Sequence, residues 1–171
     1  MMSQSQMLEA GLDLEKTASR RSAGAAIFLT LALATAACSP KAPEGVDQQA
    51  LDDAVGRAIG DPGTCVLISK AGEAKPVYRY NKLMICDRAW PACEGGGMRT
   101  VNDLLAMTAK DGKARTLSCF TNPDGSRGVG WAAGPVPGKP FVYAAVMEGD
   151  RALPGRIMAE RLAAAFQKVG L

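Results

Sequence analysis

The sequence predicts an α+β domain: a single antiparallel sheet of about five strands with N- and C-terminal helices packed on it, in the order α-β-β-α-β-β-β-α. Three observations carry this. The opening and closing segments of the domain repeat apolar residues at helical spacing. Between them lie short apolar or β-branched runs of strand length. Tight turn signals separate those runs, and short turns join antiparallel neighbours, whereas parallel strands need long crossovers.

Residues 47–171 form the domain. Asp47 is an N-cap, followed by Ala50, Leu51, Ala54, Val55, Ala58 and Ile59 on one helical face, and Gly60 with Asp61-Pro62-Gly63 stops the helix. Thr64 to Ser69 reads as a buried strand, and Pro76 to Asn81 as its hairpin partner across the turn Ala71 to Lys75. Leu83-Met84-Ile85-Cys86 either extends that strand or passes under the sheet. Asp87 to Met98, with Trp90, Pro91 and three successive glycines, reads as a flexible connector. No Lys-Ser or Lys-Thr follows those glycines, so they make no phosphate loop. Thr100 and Asp103 start a short helix through Leu104, Leu105 and Met107, ending near Asp111-Gly112.

Three strands follow, Ala114 to Phe120, Arg127 to Ala133 and Phe141 to Glu148, separated by Asn122-Pro123-Asp124-Gly125 and Gly134 to Gly138. The small residues of Val129 to Gly134 allow a helix or ligand to approach the strand closely, or mark a bulge. Pro154 opens a final helix with Ile157, Met158, Leu162, Ala165, Phe166 and Val169 on one face, ended by Gly170.

The chemistry-bearing residues are few. Net charge is +3 and the basic residues are scattered, which gives nucleic-acid binding no electrostatic support. Histidine is absent, which removes the commonest metal ligand and general base and every Ser-His-Asp or Cys-His arrangement. No cofactor, metal site or catalytic residue is expected. Asp52-Asp53 reads as a solvated helix face, since adjacent helical residues diverge. Glu148-Gly149-Asp150-Arg151 reads as a polar turn with a local ion pair rather than a site at a strand end. Trp131 and Tyr143 are expected to pack under helices, and Met107, Met147 and Met158 to fill the core.

Upstream, Arg20-Arg21 precede an uncharged Ala- and Leu-rich run that closes on small residues and Cys38. This is the layout of a secretory signal, too short to span a bilayer comfortably. Thr35-Ala36-Ala37-Cys38 resembles the lipobox of bacterial lipoproteins, with Thr35 where Leu is usual. The resemblance implies a leader over 1–37, diacylation of Cys38, a tether over 38–46, and a domain anchored to the cell envelope and facing the periplasm. Ser39 departs from the Asp that retains many lipoproteins at the inner membrane, which favours the outer membrane. Glu9, Asp13 and Glu15 fit a short basic n-region poorly, so either the true start lies downstream or the leader is long. Ser19-Arg20-Arg21 lacks the hydrophobic pair of a twin-arginine signal, having Ala23-Gly24 instead.

With Cys38 assigned to lipid, Cys65, Cys86, Cys93 and Cys119 remain, an even set that in an exported domain predicts two disulfides with three connectivities open. The short loop between Cys86 and Cys93 favours that bond, leaving Cys65 with Cys119. No Cys-x-x-Cys redox motif and no paired zinc spacing is present.

Val66-Leu67-Ile68 through Tyr78-Arg79-Tyr80-Asn81 is similar to the opening hairpin of serine β-lactamases and penicillin-binding proteins. Gly128-Val129-Gly130-Trp131, Phe141 to Met147 and the final helix resemble the closing strands and helix of their oxacillinase branch. Roadblock and profilin-like domains share roughly the same element order. The family's chemistry does not carry over. No Ser-x-x-Lys follows the first hairpin, where Ile85-Cys86-Asp87-Arg88-Ala89-Trp90 stand, and no Lys-Thr-Gly exists, with Lys113-Ala114-Arg115-Thr116 nearby.

The expectation is therefore a lipid-anchored envelope domain that does no catalysis. It would meet the membrane through Cys38, and bind an envelope protein or small ligand through its sheet or the Cys86–Cys93 loop. The alternative is a divergent or degenerate serine hydrolase using Ser118 or Ser126 with Lys113. Thiol redox chemistry at Cys86 or Cys93 is a third reading.

Overall fold

The structure is a computed structural model and describes residues 40–171. The expected leader and the lipidation of Cys38 lie outside the described residues. The elements are α1 (Gln48–Ile59), β1 (Thr64–Lys70), β2 (Pro76–Tyr80), α2 (Leu83–Cys86), β3 (Trp90–Pro91), β4 (Met98–Arg99), α3 (Val101–Asp111), β5 (Arg115–Phe120), β6 (Gly128–Pro135), β7 (Phe141–Gly149) and α4 (Gly155–Lys168). The main sheet has five strands in the order β2-β1-β7-β6-β5, every neighbour antiparallel. The α+β class, the antiparallel sheet and the flanking helices are as expected.

The sheet buries both faces. Val66 and Ile68 of β1 with Tyr143, Ala145 and Met147 of β7 join Leu51, Val55, Ile59, Met158, Leu162 and Phe166 of α1 and α4 in one core. Leu67, Trp131, Ala144 and Val146 point the other way, onto Val101, Leu104 and Leu105 of α3. The period-2 alternation of side chains thus feeds two cores from the same strands. Edge strand β5, by contrast, alternates half-buried and exposed positions.

The local signals behave as their chemistry requires. Asp47 accepts the Ala50 N–H at 2.7 Å. Thr100 and Asp103 form a full capping box, and Gly112 closes α3 in the left-handed region at φ 65°. Gly130 and Gly155 explain the small residues of β6: a Cβ on Gly130 would stand 2.0 Å from the Leu153 carbonyl, and one on Gly155 would stand 2.1 Å from the Trp131 carbonyl. The entry to α4 lies directly on the strand backbone.

Several expectations need correction. Residues 83–99 are not a strand extension followed by a flexible connector. Leu83–Cys86 is a helical turn with Leu83 and Met84 exposed, and Trp90–Pro91 pairs with Met98–Arg99 in a small hairpin across the glycines. Met107 is 41% exposed rather than core, because the buried stripe of α3 runs through Val101, Leu104, Leu105, Thr108 and Ala109. Asp52 is not on a solvated face: it accepts the Tyr78 hydroxyl hydrogen at 2.8 Å and both its oxygens take Gln48 Nε2, while Asp53 stays exposed. Trp131 and Tyr143 do pack under helices, Tyr143 edge-on to Phe166 of α4.

The disulfide pairing also differs. Cys65 bonds Cys86, and Cys93 bonds Cys119. The 86–93 segment does not close on itself. Cys86 is tied to β1 and Cys93 to β5, so the segment is stretched across one end of the sheet. Trp131 Nε1 reinforces this by donating to the Pro91 carbonyl at 2.9 Å.

Candidate functional site

That pinned segment forms one wall of a cleft of about 380 Å³ at the sheet end. Ile85, Arg88 and Trp90 line it from the pinned side, Asp61 to Gly63 from the turn after α1, and Arg127, Glu148, Asp150 and Arg151 from the ends of β6 and β7. The volume lies in the range of small-molecule sites. Close packing positions the floor. A Cβ on Gly63 would stand 2.1 Å from the Glu148 carbonyl, so the Asp61–Gly63 turn rests on β7. The Glu148 N–H donates to the Gly63 carbonyl at 3.2 Å.

Charge is organised in pairs. Arg127 Nε and one terminal nitrogen donate to the two Glu148 oxygens at 3.0 Å each. Glu148 is only 6% exposed while the arginine side chain is 50% exposed. The Glu148 hydrogen bonds, aided by the nearby Asp150 and Asp61 charges, push the Arg127 guanidinium above its usual range. Arg151 donates to Asp61 at 2.9 Å, and Asp61 also accepts the Gly63 N–H. The ion pairs are therefore not local to the 148–151 turn: they reach 21 and 90 residues along the chain. On the opposite wall the Arg88 guanidinium lies 4.0 Å above the Trp90 ring, in cation–π geometry. Trp90 is 7% exposed, and its Nε1–H has no acceptor among the described residues.

The serines considered for hydrolysis lie elsewhere. Ser118 Oγ accepts the Gly155 N–H at 2.8 Å, and Ser126 Oγ accepts Asn122 Nδ2 at 2.7 Å. Lys113 sits in the turn after α3, its N–H donating to Asp111 and its carbonyl accepting from Arg115. Among the described residues neither hydroxyl is hydrogen-bonded to a lysine amine. Nor do the described residues hold a cluster of three or more Cys, Asp or Glu able to bind a metal ion. No described helix is long and apolar enough to cross a membrane.

The sequence singles out Glu148 to Arg151 and the Cys86–Cys93 loop that carries Arg88 and Trp90, but separately, and gives no sign of Asp61 and Arg127 as lining residues. No local signal joins them, because four segments far apart in the chain meet only when the sheet closes. Comparison with models of known protein families, with characterised proteins and with solved structures finds no match for this chain.

Proposed function

We propose that this chain is an exported, lipid-anchored envelope protein whose folded domain binds a ligand in the cleft at the sheet end and does not transform it. The observation that carries the binding reading is the pair of disulfides fixing both ends of the Cys86–Cys93 wall, one to β1 and one to β5. Fixing a wall in advance removes ordering entropy that a ligand would otherwise have to overcome. Two disulfides in a domain of this size also favour an oxidising compartment. Ser118 and Ser126, the serines of the hydrolase alternative, hydrogen-bond to Gly155 and Asn122 and to no lysine amine among the described residues, which favours binding over that catalysis.

The topology gives the reading a direction. Thr64 Oγ1 donates to the Ile59 carbonyl, so α1 ends at the cleft end of the sheet. Its first residue, Gln48, is eleven residues back, about 17 Å away at the helical rise. The 40–47 segment therefore joins α1 at the end opposite the cleft, which leaves the cleft clear of an anchor at Cys38.

Intact mass of the protein recovered from its native membrane tests the anchor. The expected chain starts at diacylated Cys38 and gains about four hydrogens on reduction of two disulfides. An unlipidated chain would overturn the anchored reading.

A further inference from the structure

The charges of the cleft, taken in pairs, leave a remainder. Arg127 is taken by Glu148 and Arg151 by Asp61. Arg88 and Asp150 line the same cleft, from opposite walls, and neither forms an ion pair among the described residues. From this we infer that the cleft takes a small zwitterion of the amino-acid or dipeptide class, its carboxylate on Arg88 and its ammonium on Asp150. The inference rests on the binding reading above and specifies its ligand.

Three physical points support it. First, the lining carries three arginines and three carboxylates, so it has no net charge. A purely anionic ligand would approach Asp61, Glu148 and Asp150, and a purely cationic one Arg88, Arg127 and Arg151. Only a ligand bearing both signs, in the right order, meets an opposite charge at each end. Second, Arg88 is prepared for a carboxylate. Its guanidinium carbon lies 4.0 Å from the Trp90 ring centroid and it forms no ion pair among the described residues, and a planar fork of donors matches a carboxylate with two parallel hydrogen bonds. Third, the Trp90 ring under Arg88 is only 7% exposed and belongs to the core cluster beneath α3, so the platform on which the guanidinium rests is fixed before a ligand arrives. The two satisfied ion pairs add polar lining that is not charged overall.

Isothermal titration calorimetry of the disulfide-bonded protein with three probes tests this: glycylglycine, N-acetylglycylglycine and glycylglycinamide. The same three are repeated with alanine and leucine as side chains. The free dipeptide should bind at least about 10-fold more tightly than either blocked form, a tenfold step being about 1.4 kcal/mol. R88Q should weaken the free dipeptide to the level of its amide and leave the amide unchanged. D150N should weaken it to the level of the N-acetyl form and leave that form unchanged. Both positions are exposed, and unchanged melting temperatures will show that the variants fold. Equal binding of a singly charged probe overturns the zwitterion and leaves the binding reading standing. Absence of binding across the whole set also overturns the zwitterion. Release of free amino acid from the dipeptides would instead overturn the claim that the domain does not transform its ligand.

Discussion

Arg127 holds Glu148 with two parallel hydrogen bonds, although one partner is half in water and the other almost wholly buried. The asymmetry decides which partner can be removed. Deleting the arginine leaves a carboxylate nine-tenths buried with no counter-charge. Removing one partner of a pair destabilises chiefly through the charge left buried, here Glu148, while the exposure of the arginine weakens the attraction that is lost. Arg127→Ala is therefore expected to lower the urea midpoint. Adding Glu148→Gln to it should recover part of the loss, because the uncompensated charge is gone. If the double variant is less stable than R127A alone, the pair is not the source.

Gly130 and Gly155 are expected to tolerate no side chain. At Gly130 the obstacle is the Leu153 carbonyl, and at Gly155 it is the backbone of Trp131 and Leu117. Neither can swing aside as a long side chain would. Gly130→Ala and Gly155→Ala should each destabilise by at least about 1–3 kcal/mol, the range for overpacking. Gly72→Ala, at a turn with open space around it but φ +82°, should cost only about 1 kcal/mol. Thermal melts of the three variants, in that rank order, check the close approach of α4 to the sheet.

How legible the fold was follows from which interactions are local. Asp47, Thr100 with Asp103 and Gly112 each act within one helical turn, and each was readable where it stands. Gly130 was readable as an opening for a close neighbour, because only a missing side chain permits one. The second helical layer was present in the sequence as well: Cys65-Val66-Leu67-Ile68 and Val142 to Met147 are apolar at successive positions, which means both faces are covered. The disulfide pairing was not legible. Sequence proximity favoured Cys86 with Cys93, whereas the short β3–β4 hairpin carries Cys93 across to β5 and leaves Cys86 over β1. The cleft was illegible for the same reason, since Arg88, Asp61 and Asp150 become neighbours only through strand order.

Tyr78 ties α1 to the sheet. It is fully buried and its hydroxyl donates to Asp52 at 2.8 Å. Burial, the Asp52 hydrogen bond and the Asp52 charge all push its pKa well above the ordinary tyrosine range. The unfolded chain ionises this tyrosine near pH 10, whereas the folded chain keeps the proton. The unfolded state then binds fewer protons, so stability falls as pH rises above about 10. Tyr143, pushed up to about 12 by burial, contributes in the same direction. Tyr78→Phe should cost about 1.5–3 kcal/mol at neutral pH, the range for a hydrogen bond to a charged acceptor. It should also flatten the loss of stability between pH 10 and 12. Denaturant midpoints at neutral and alkaline pH read both effects; a variant with an unaltered alkaline slope would remove Tyr78 from the account.

The disulfides give the most direct test of how the cleft wall is held. Trypsin can place all four cysteines on separate peptides, 58–70, 83–88, 89–99 and 116–127. Without reduction, 58–70 is expected to remain joined to 83–88, and 89–99 to 116–127. A joined 83–88 and 89–99 would restore the pairing that spacing favours and would detach the wall from β1 and β5. Removing either bond by paired Cys→Ser substitution should cost roughly 3 kcal/mol for loops of these lengths. The functional effects should differ from the energetic ones. Cys93→Ser with Cys119→Ser frees the β5 side, where the Trp131–Pro91 hydrogen bond and the buried Trp90 still tie the hairpin down. Cys65→Ser with Cys86→Ser frees the side on which Arg88 stacks over Trp90, next to Cys86. The Cys65/Cys86 pair should therefore cost more ligand affinity than the Cys93/Cys119 pair at equal loss of stability, and titration of both variants below their melting temperatures measures the difference.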